Sequence, residues 1–406
     1  MTVTQAAPGT RVLAPDLARG GMLLLIAVAN TPWYLWGRDV RPSTIHPPGG
    51  SALDRIVQVL SMITVDFRVY PMFAFLFGYG MVQAVIRRQA AGQRLPIALA
   101  QLRRRNLWLL AFGFVHAALL WQGDILGAYG LAGLLLARLF VRRGDRVLLI
   151  WSTIGAGLLT LATLLGIVGA YLAAIAPEPP GTVGYLGLGT AASEQADPLA
   201  AVLQRLAFWP VVTVGQGLLA LALPVAIVLG FWAARRHVLE RPQDHLPLLR
   251  RVAAIGVTIG CLGGLPHALA VMGWLPIPPE SMFVFEITQM TTGLPAGLGY
   301  AAVFGLLGHR LSRHRPGPVV QSIAAVGQRS LSAYLTQSVL CAPVLAAWGL
   351  GLGAHLHSAA IAGYAIAVWL ITVAAARVLE RYRHPGPAET LLRRLSQPTR
   401  RRSANP

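Results

Sequence analysis

Apolar residues gather into ten long runs, near 20–37, 69–86, 106–121, 124–141, 147–175, 203–233, 252–273, 282–308, 320–348 and 357–376. Most approach the ~20 residues a helix needs to cross ~30 Å of hydrocarbon. The runs are continuous rather than alternating, which disfavours a transmembrane barrel. The pattern predicts an all-α, polytopic integral membrane protein of about ten transmembrane helices. The stretch 52–67 mixes apolar positions with Asp54, Arg55, Gln58 and Asp66, and predicts a helix lying on the outer membrane surface. Breakers fall inside three runs: Pro210 and Pro224 in the sixth, Gly293, Pro295, Gly297 and Gly299 in the eighth, and Pro343 in the ninth. Such interruptions are tolerated where a helix is buried in protein or lines a cavity.

The charges of the connections alternate by side. Arginine crowds 87–105, 138–146, 235–251, 310–315 and 377–402, whereas the intervening connections hold Glu178, Glu194, Asp197 and Glu280 and few arginines. Under the positive-inside rule both termini are cytoplasmic and the number of spans is even, as ten is. The first run ends in Asn30-Thr31-Pro32-Trp33-Tyr34-Leu35-Trp36 without a small-residue cleavage site, so it reads as a retained helix with an aromatic outer belt. Residues 1–14 read as a disordered tail, 15–380 as one transmembrane domain and 381–406 as a basic cytoplasmic tail. The expected location is the bacterial plasma membrane, with the lipid bilayer as partner.

Composition then narrows the chemistry. The net charge of +19 would point a soluble chain toward nucleic acid, but here arginines cap helix ends where anionic headgroups attract them, so no nucleic-acid partner is expected. All 34 basic residues are arginine. A phosphate loop ending in Gly-Lys-Ser/Thr and lysine Schiff-base chemistry are therefore excluded. Cys261 and Cys341 lie in predicted helices and provide neither a disulfide nor a zinc framework. No metal is expected.

Ionisable and polar groups inside spans cost ~2.5–3.5 kcal/mol at the bilayer centre on insertion scales, and so mark functional candidates. By helix direction, Asn30, His116, Asp124, His267, Glu286 and Gln289 all fall in the outer leaflet. Across a tight turn, Asp124 would orient His116 as a general base. The structural alternatives are an N-cap for Asp124, an interhelical hydrogen bond for His116, a kink for His267 after Pro266, and headgroup depth for Glu286. A second cluster is cytoplasmic: Asp16 and Arg19 open the first helix, and Gln328, Arg329, Ser330, Tyr334 and Gln337 open the ninth. There, Arg19 and Arg329 would bind a phosphate-bearing ligand bidentately, with headgroup contact as the alternative.

Three segments carry a family resemblance. Asp16-Leu17-Ala18-Arg19-Gly20 resembles the opening motif of membrane acyltransferase-like proteins. Gly113-Phe114-Val115-His116-Ala117, continuing through Gly123-Asp124-Ile125-Leu126 to Tyr129-Gly130, is similar to the hallmark of the YeiB-like proteins. Val326-Gly327-Gln328-Arg329-Ser330-Leu331-Ser332-x-Tyr334-Leu335-x-Gln337-Ser338 resembles their C-terminal signature, a domain of unknown function labelled DUF418, expected over about 230–395. Phe73-x-Phe75-Leu76-Phe77-Gly78-Tyr79-Gly80 and Gly386-Pro387-x-Glu389 also match.

The resemblance extends distantly to the heparan-α-glucosaminide acetyltransferase and acyltransferase-3 proteins, which move an acyl group from cytoplasmic coenzyme A to an outer acceptor. It implies acyl-CoA as donor substrate, with no cofactor bound. Asn30 matches by position the asparagine implicated in the glucosaminide enzymes. His46 follows it at a longer spacing and in a different context from their loop histidine, so His116 is the first choice of base. Taken together, the leading expectation is acyl transfer by His116, Asp124 and Asn30, with Arg19, Arg329, Tyr334, Gln337, His267 and Glu286 binding small-molecule substrates. A small-solute transporter is the alternative, and a non-catalytic scaffold or sensor the third reading.

Overall fold

The computed structural model describes residues 13–38, 44–175, 185–313 and 316–397. Arg41, Glu178 and residues 1–12 and 398–406 of the expected tails lie outside them. Helices α1 (Leu13–Asn30), α2 (Ala52–Thr64), α3 (Val69–Ala90), α4 (Leu95–Leu119) and α5 (Ile125–Phe140) are followed by α6 (Asp145–Ile175), α7 (Tyr185–Glu194), α8 (Pro198–Pro210), α9 (Ala222–Arg235) and α10 (Leu246–Val271). The chain continues through α11 (Phe283–Leu311), α12 (Pro318–Gln328), α13 (Ser330–Leu345), α14 (Ser358–Arg381) and α15 (Pro387–Ser396). The described residues contain no strand.

Seven helical segments are long and apolar enough to cross a membrane, at 13–34, 69–90, 145–175, 198–219, 242–271, 279–311 and 358–381. Three shorter apolar helices, α5, α9 and α13, pack with them. The exterior is apolar as well as the core: on α6, Leu164, Leu165, Val168, Tyr171 and Leu172 are all exposed. Exposed apolar area on that scale belongs in lipid, where no hydrophobic penalty opposes it. This is a membrane protein.

The broken runs differ from their simplest reading. The sixth is interrupted at Pro210, whose missing N–H coincides with a π-helical stretch over Val211–Leu219, and again at Leu221, which sits at φ +39°. The ninth breaks at Arg329, not at Pro343, which stays inside α13. By contrast α11 runs unbroken through Pro295, and glycines on both helices let α10 close on it: a methyl on Gly256 of α10 would lie 2.2 Å from the Pro295 carbonyl oxygen.

Helix α2 is polar on the inside and apolar on the outside. Leu53, Ile56 and Leu60 are exposed, while Asp54, Gln58 and Ser61 are buried where α2 packs on α10 and α14. Asp54 forms a capping box with Ser51 and also accepts from the Ala359 amide at 2.8 Å, starting α14. Inverted amphipathicity again marks lipid contact. At the opposite, arginine-rich end, α15 does not leave the protein. It packs against α4 and α13, and the Glu389 carboxylate accepts from the Leu331 and Ser332 amides at 2.8 and 3.1 Å, filling the N-terminus of α13.

Candidate functional site

Helix α4 ends one turn after His116, and Asp124 starts α5 by accepting from the amides of Leu126 at 3.1 Å and Gly127 at 2.7 Å. The two helices close tightly: a methyl on Gly113 would lie 2.2 Å from the Gly127 nitrogen and 2.4 Å from Asp124 Oδ2. Within that closure His116 Nδ1 is 2.8 Å from Asp124 Oδ1, and His116 Nε2 is 2.8 Å from Ser338 Oγ on α13. A carboxylate only accepts, so Nδ1 carries the proton, and Nε2 shares the other hydrogen bond with the serine hydroxyl. All three side chains are buried; Asp124 is 0% exposed. Tyr334, one turn before Ser338, sets its ring 5.2 Å from that of His116.

Two cavities approach this region from opposite ends. One, of about 800 Å³, opens at the arginine-rich end between Arg88, Gln93, Gln101, Arg105 and Arg393, and reaches inward to Tyr129, Leu126, Tyr334, Ile26 and Phe73. Arg105 places its guanidinium 5.4 Å from the Phe77 ring centroid. The other, of about 580 Å³, is lined at the Asn30 end by Asn30, Thr44, Asp66, Gln122, His267 and Glu286, and also reaches Ile26 and Phe73. These two side chains belong to both walls.

A buried polar network backs the second cavity. His46 Nε2 is 2.9 Å from Asp66 Oδ2, and His46 Nδ1 finds no hydrogen-bond partner among the described residues. The fully buried Arg68 donates to Gln289 Oε1 at 2.6 Å, to the Gly260 carbonyl at 2.7 Å and to the Asp66 carbonyl. Gln289 donates in turn to His267 Nδ1, and the His267 ring stacks on Phe285 at 5.3 Å. Every donor Arg68 spends on a carbonyl or amide oxygen offsets part of the cost of burying its charge.

The structure therefore brings Asn30, His267 and Glu286 into one cavity wall, while His116 and Asp124 lie beside it behind Trp121–Ile125. Of the expected cytoplasmic group, Tyr334 lines the large cavity and Gln337 donates to the Leu23 carbonyl at 3.1 Å, tying α13 to α1. Arg19 pairs with Asp16 at 3.7 Å. Arg329 is held by the carbonyls of His384 at 2.9 Å and Ala325 at 3.1 Å and by Glu380 at 3.3 Å, in the wall of a smaller cavity of about 480 Å³ that shares Glu389 and Arg393 with the large one.

Sequence reasoning passed over Ser338, Asp66 and Arg68 as site residues, and treated Arg88 and Arg105 only as helix-end cations. Ser338 stands inside the quoted C-terminal signature, and Asp66-Phe67-Arg68 puts two charges directly before an apolar run; both were available signals. No group of three or more His, Cys, Asp or Glu among the described residues is disposed to hold a metal ion.

Residues 233–399 match the family described as protein of unknown function, DUF418. The chain is 29% identical over 345 residues to YeiB of Escherichia coli K12, covering 80% of each chain. It is 27% identical over 342 residues to YxaH of Bacillus subtilis 168, covering 79% of this chain and 77% of that one. The C-terminal part of the chain thus carries the DUF418 region, and most of its length is similar to YeiB and YxaH. A 39.9 kDa protein encoded beside an amylase gene in Bacillus acidopullulyticus is 32% identical over 126 residues, 31% of this chain and 33% of that one. The matched family region begins within α9 and ends just after α15, so it contains Arg68's partners Gly260 and Gln289 together with Ser338 and Glu389. The His116–Asp124 turn precedes it, and the histidine-to-serine contact joins this YeiB-like chain's two halves.

Proposed function

We propose that this DUF418 protein transfers an acyl group across the membrane, from an acyl-CoA bound at the arginine-rich, cytoplasmic end to a hydroxyl or amine acceptor at the outer end. The observation that carries the reading is the pair of cavities, basic at one end and rich in acid–base groups at the other, that share Ile26 and Phe73. Arg88, Arg105 and Arg393 suit the phosphates of coenzyme A, since guanidinium groups bind phosphate bidentately. The pantetheine arm and its thioester would extend along the apolar wall toward Phe73.

At the outer end the Asn30 amide is placed to donate to the developing oxyanion. Acceptor deprotonation falls to His46, oriented by Asp66. Thr44, Ile45 and Asp66 line that cavity, whereas both His116 nitrogens are already engaged in packed protein. This keeps a histidine–carboxylate pair as the base but moves it from the turn at 116–124 to the loop before α2. His267 and Glu286 would contact the acceptor.

The test is calorimetric binding of acetyl-CoA to the protein in nanodiscs. Wild type binds saturably, Arg105→Gln weakens binding about tenfold, or ~1.4 kcal/mol, and Arg329→Ala leaves it unchanged. Absence of saturable binding overturns the reading, and uptake of solute by proteoliposomes then becomes the measurement, because an end-to-end passage also suits a small-solute transporter.

A further inference from the structure

The contact of Asp124 and Ser338 with the two ring nitrogens of His116 satisfies a buried histidine and, in the same stroke, lays out a serine–histidine–carboxylate sequence. We infer that Ser338, which lies behind the cavity walls one turn along α13 from Tyr334 of the arginine-end cavity, is a nucleophile that carries the acyl group as a covalent ester. The inference rests on the acyl-transfer reading above.

The geometry supports it in three ways. First, Oγ···Nε2 and Nδ1···Oδ1 are both 2.8 Å, the serine–histidine–carboxylate sequence in which the base takes the serine proton and the carboxylate fixes the tautomer. Second, the histidine cannot exchange roles: Asp124 is held by the Leu126 and Gly127 amides, so its oxygens face the ring from a fixed cap. Third, an oxyanion donor is at hand. The buried Tyr334 hydroxyl makes no hydrogen bond among the described residues, lies on the same face of α13 one turn from Ser338, and belongs to the wall of the arginine-end cavity. A group whose only role was packing would leave that hydroxyl an uncompensated cost.

The step balances without a further reactant. Ser338 Oγ attacks the thioester carbonyl as His116 Nε2 takes its proton; the C–S bond breaks and the thiolate leaves as coenzyme A thiol with that proton. An acceptor hydroxyl or amine from the outer cavity then attacks the serine ester and gives its proton to His46; the acyl–Oγ bond breaks, and the serine oxygen is reprotonated through His116 Nε2 by the one proton that His46 releases, so that the product departs with both histidines back in their starting state. Tyr334 donates to the carbonyl oxygen in the first half, Asn30 in the second. A covalent relay suits the layout because Ser338 is only 8% exposed, so water has little access to the ester.

The experiment is incubation of the nanodisc protein with radiolabelled acetyl-CoA, an acid quench, and mapping of the label by peptide mass spectrometry, beside calorimetric binding of the same acetyl-CoA. The expected result is about one acetyl group per chain on the Ser338 peptide, absent in Ser338→Ala, formed about a hundredfold or more slowly in His116→Ala, and accumulating in His46→Ala. Ser338→Cys supplies a readout that a structural serine would not move: iodoacetamide should alkylate Cys at 338 faster than Cys341, and the difference should vanish when His116→Ala is added. Acetyl-CoA bound but no label on Ser338, or a Ser338→Cys thiol no more reactive than Cys341, overturns the relay and leaves the acyl-transfer reading standing. Thiol reactivity that depends on His116 without any acetyl-CoA binding supports the nucleophile and overturns the donor.

Discussion

The Asp124 carboxylate accepts from the Leu126 and Gly127 amides and from His116 at once. An N-cap of this kind is worth ~1 kcal/mol and a charge-assisted bond ~1.5–3 kcal/mol, so the structural and chemical readings of this residue are additive and not rivals. Proximity in the chain made that pair legible: eight residues across one tight turn leave few other placements. Ser338, 222 residues from His116, could only be found in three dimensions. A different single residue carries a pH prediction. Glu240, in the connection after α9, is half-buried, and its desolvation pushes its carboxyl above the usual carboxylate range; it accepts from the Tyr79 hydroxyl. Its folded value is raised, so its contribution to stability is full below the unfolded carboxylate value and is lost as pH rises through the folded one. Glu240→Gln keeps an acceptor without the charge. Its unfolding midpoint in thermal scans should fall less steeply than that of wild type from acid to neutral pH and lie higher at neutral pH; parallel curves would contradict this.

Among the elements, α15 departs furthest from its sequence. A basic segment after the last span reads as a tail, yet Glu389 anchors it to the first turn of α13 and Leu392, Arg393 and Ser396 join the wall of the large cavity. The Gly386-Pro387-x-Glu389 motif signalled something there, but its partner, the break at Arg329 that frees the α13 amides, was hidden inside an apparently single apolar run. Glu389→Ala removes the acceptor of two backbone amides and of the Ser332 hydroxyl. We expect α15 to undock, seen as faster amide exchange over 387–396, at a cost of ~1–3 kcal/mol in stability. Unchanged exchange would mean that packing on α4 alone holds the helix.

Over the whole molecule, the proposed transfer depends on two cavities that share two side chains. Phe73 comes from α3 and Ile26 from α1, and each faces both cavities. Phe73→Trp should cut acyl transfer to the outer end by about tenfold or more and weaken acetyl-CoA binding from the arginine end much less, since the added volume falls where the two cavities meet and overpacking costs ~1–3 kcal/mol. Transfer at the wild-type rate would place the route elsewhere. The arginines follow the same division: Arg88, Arg105 and Arg393 line the large cavity, and the buried Arg68, behind the other one, is solvated by carbonyl oxygens and Gln289 instead of by water.

Class, helical content and family resemblance were determined by the sequence, because the length of an apolar run, its continuity and the local His116-to-Asp124 spacing depend only on neighbours along the chain. The gathering of Asn30, His267 and Glu286 at one depth was legible for the same reason, since a helix converts residue number into height. Rotation about each helix axis is not encoded that way. Which face of α13 meets α4, that Arg105 rather than Arg329 lines the large cavity, and that α2 turns its polar side inward were decided by interhelical packing of small residues in a solvent as apolar as the side chains themselves. In lipid, hydrophobicity sorts helices from loops but does not choose which side of a helix faces its neighbour.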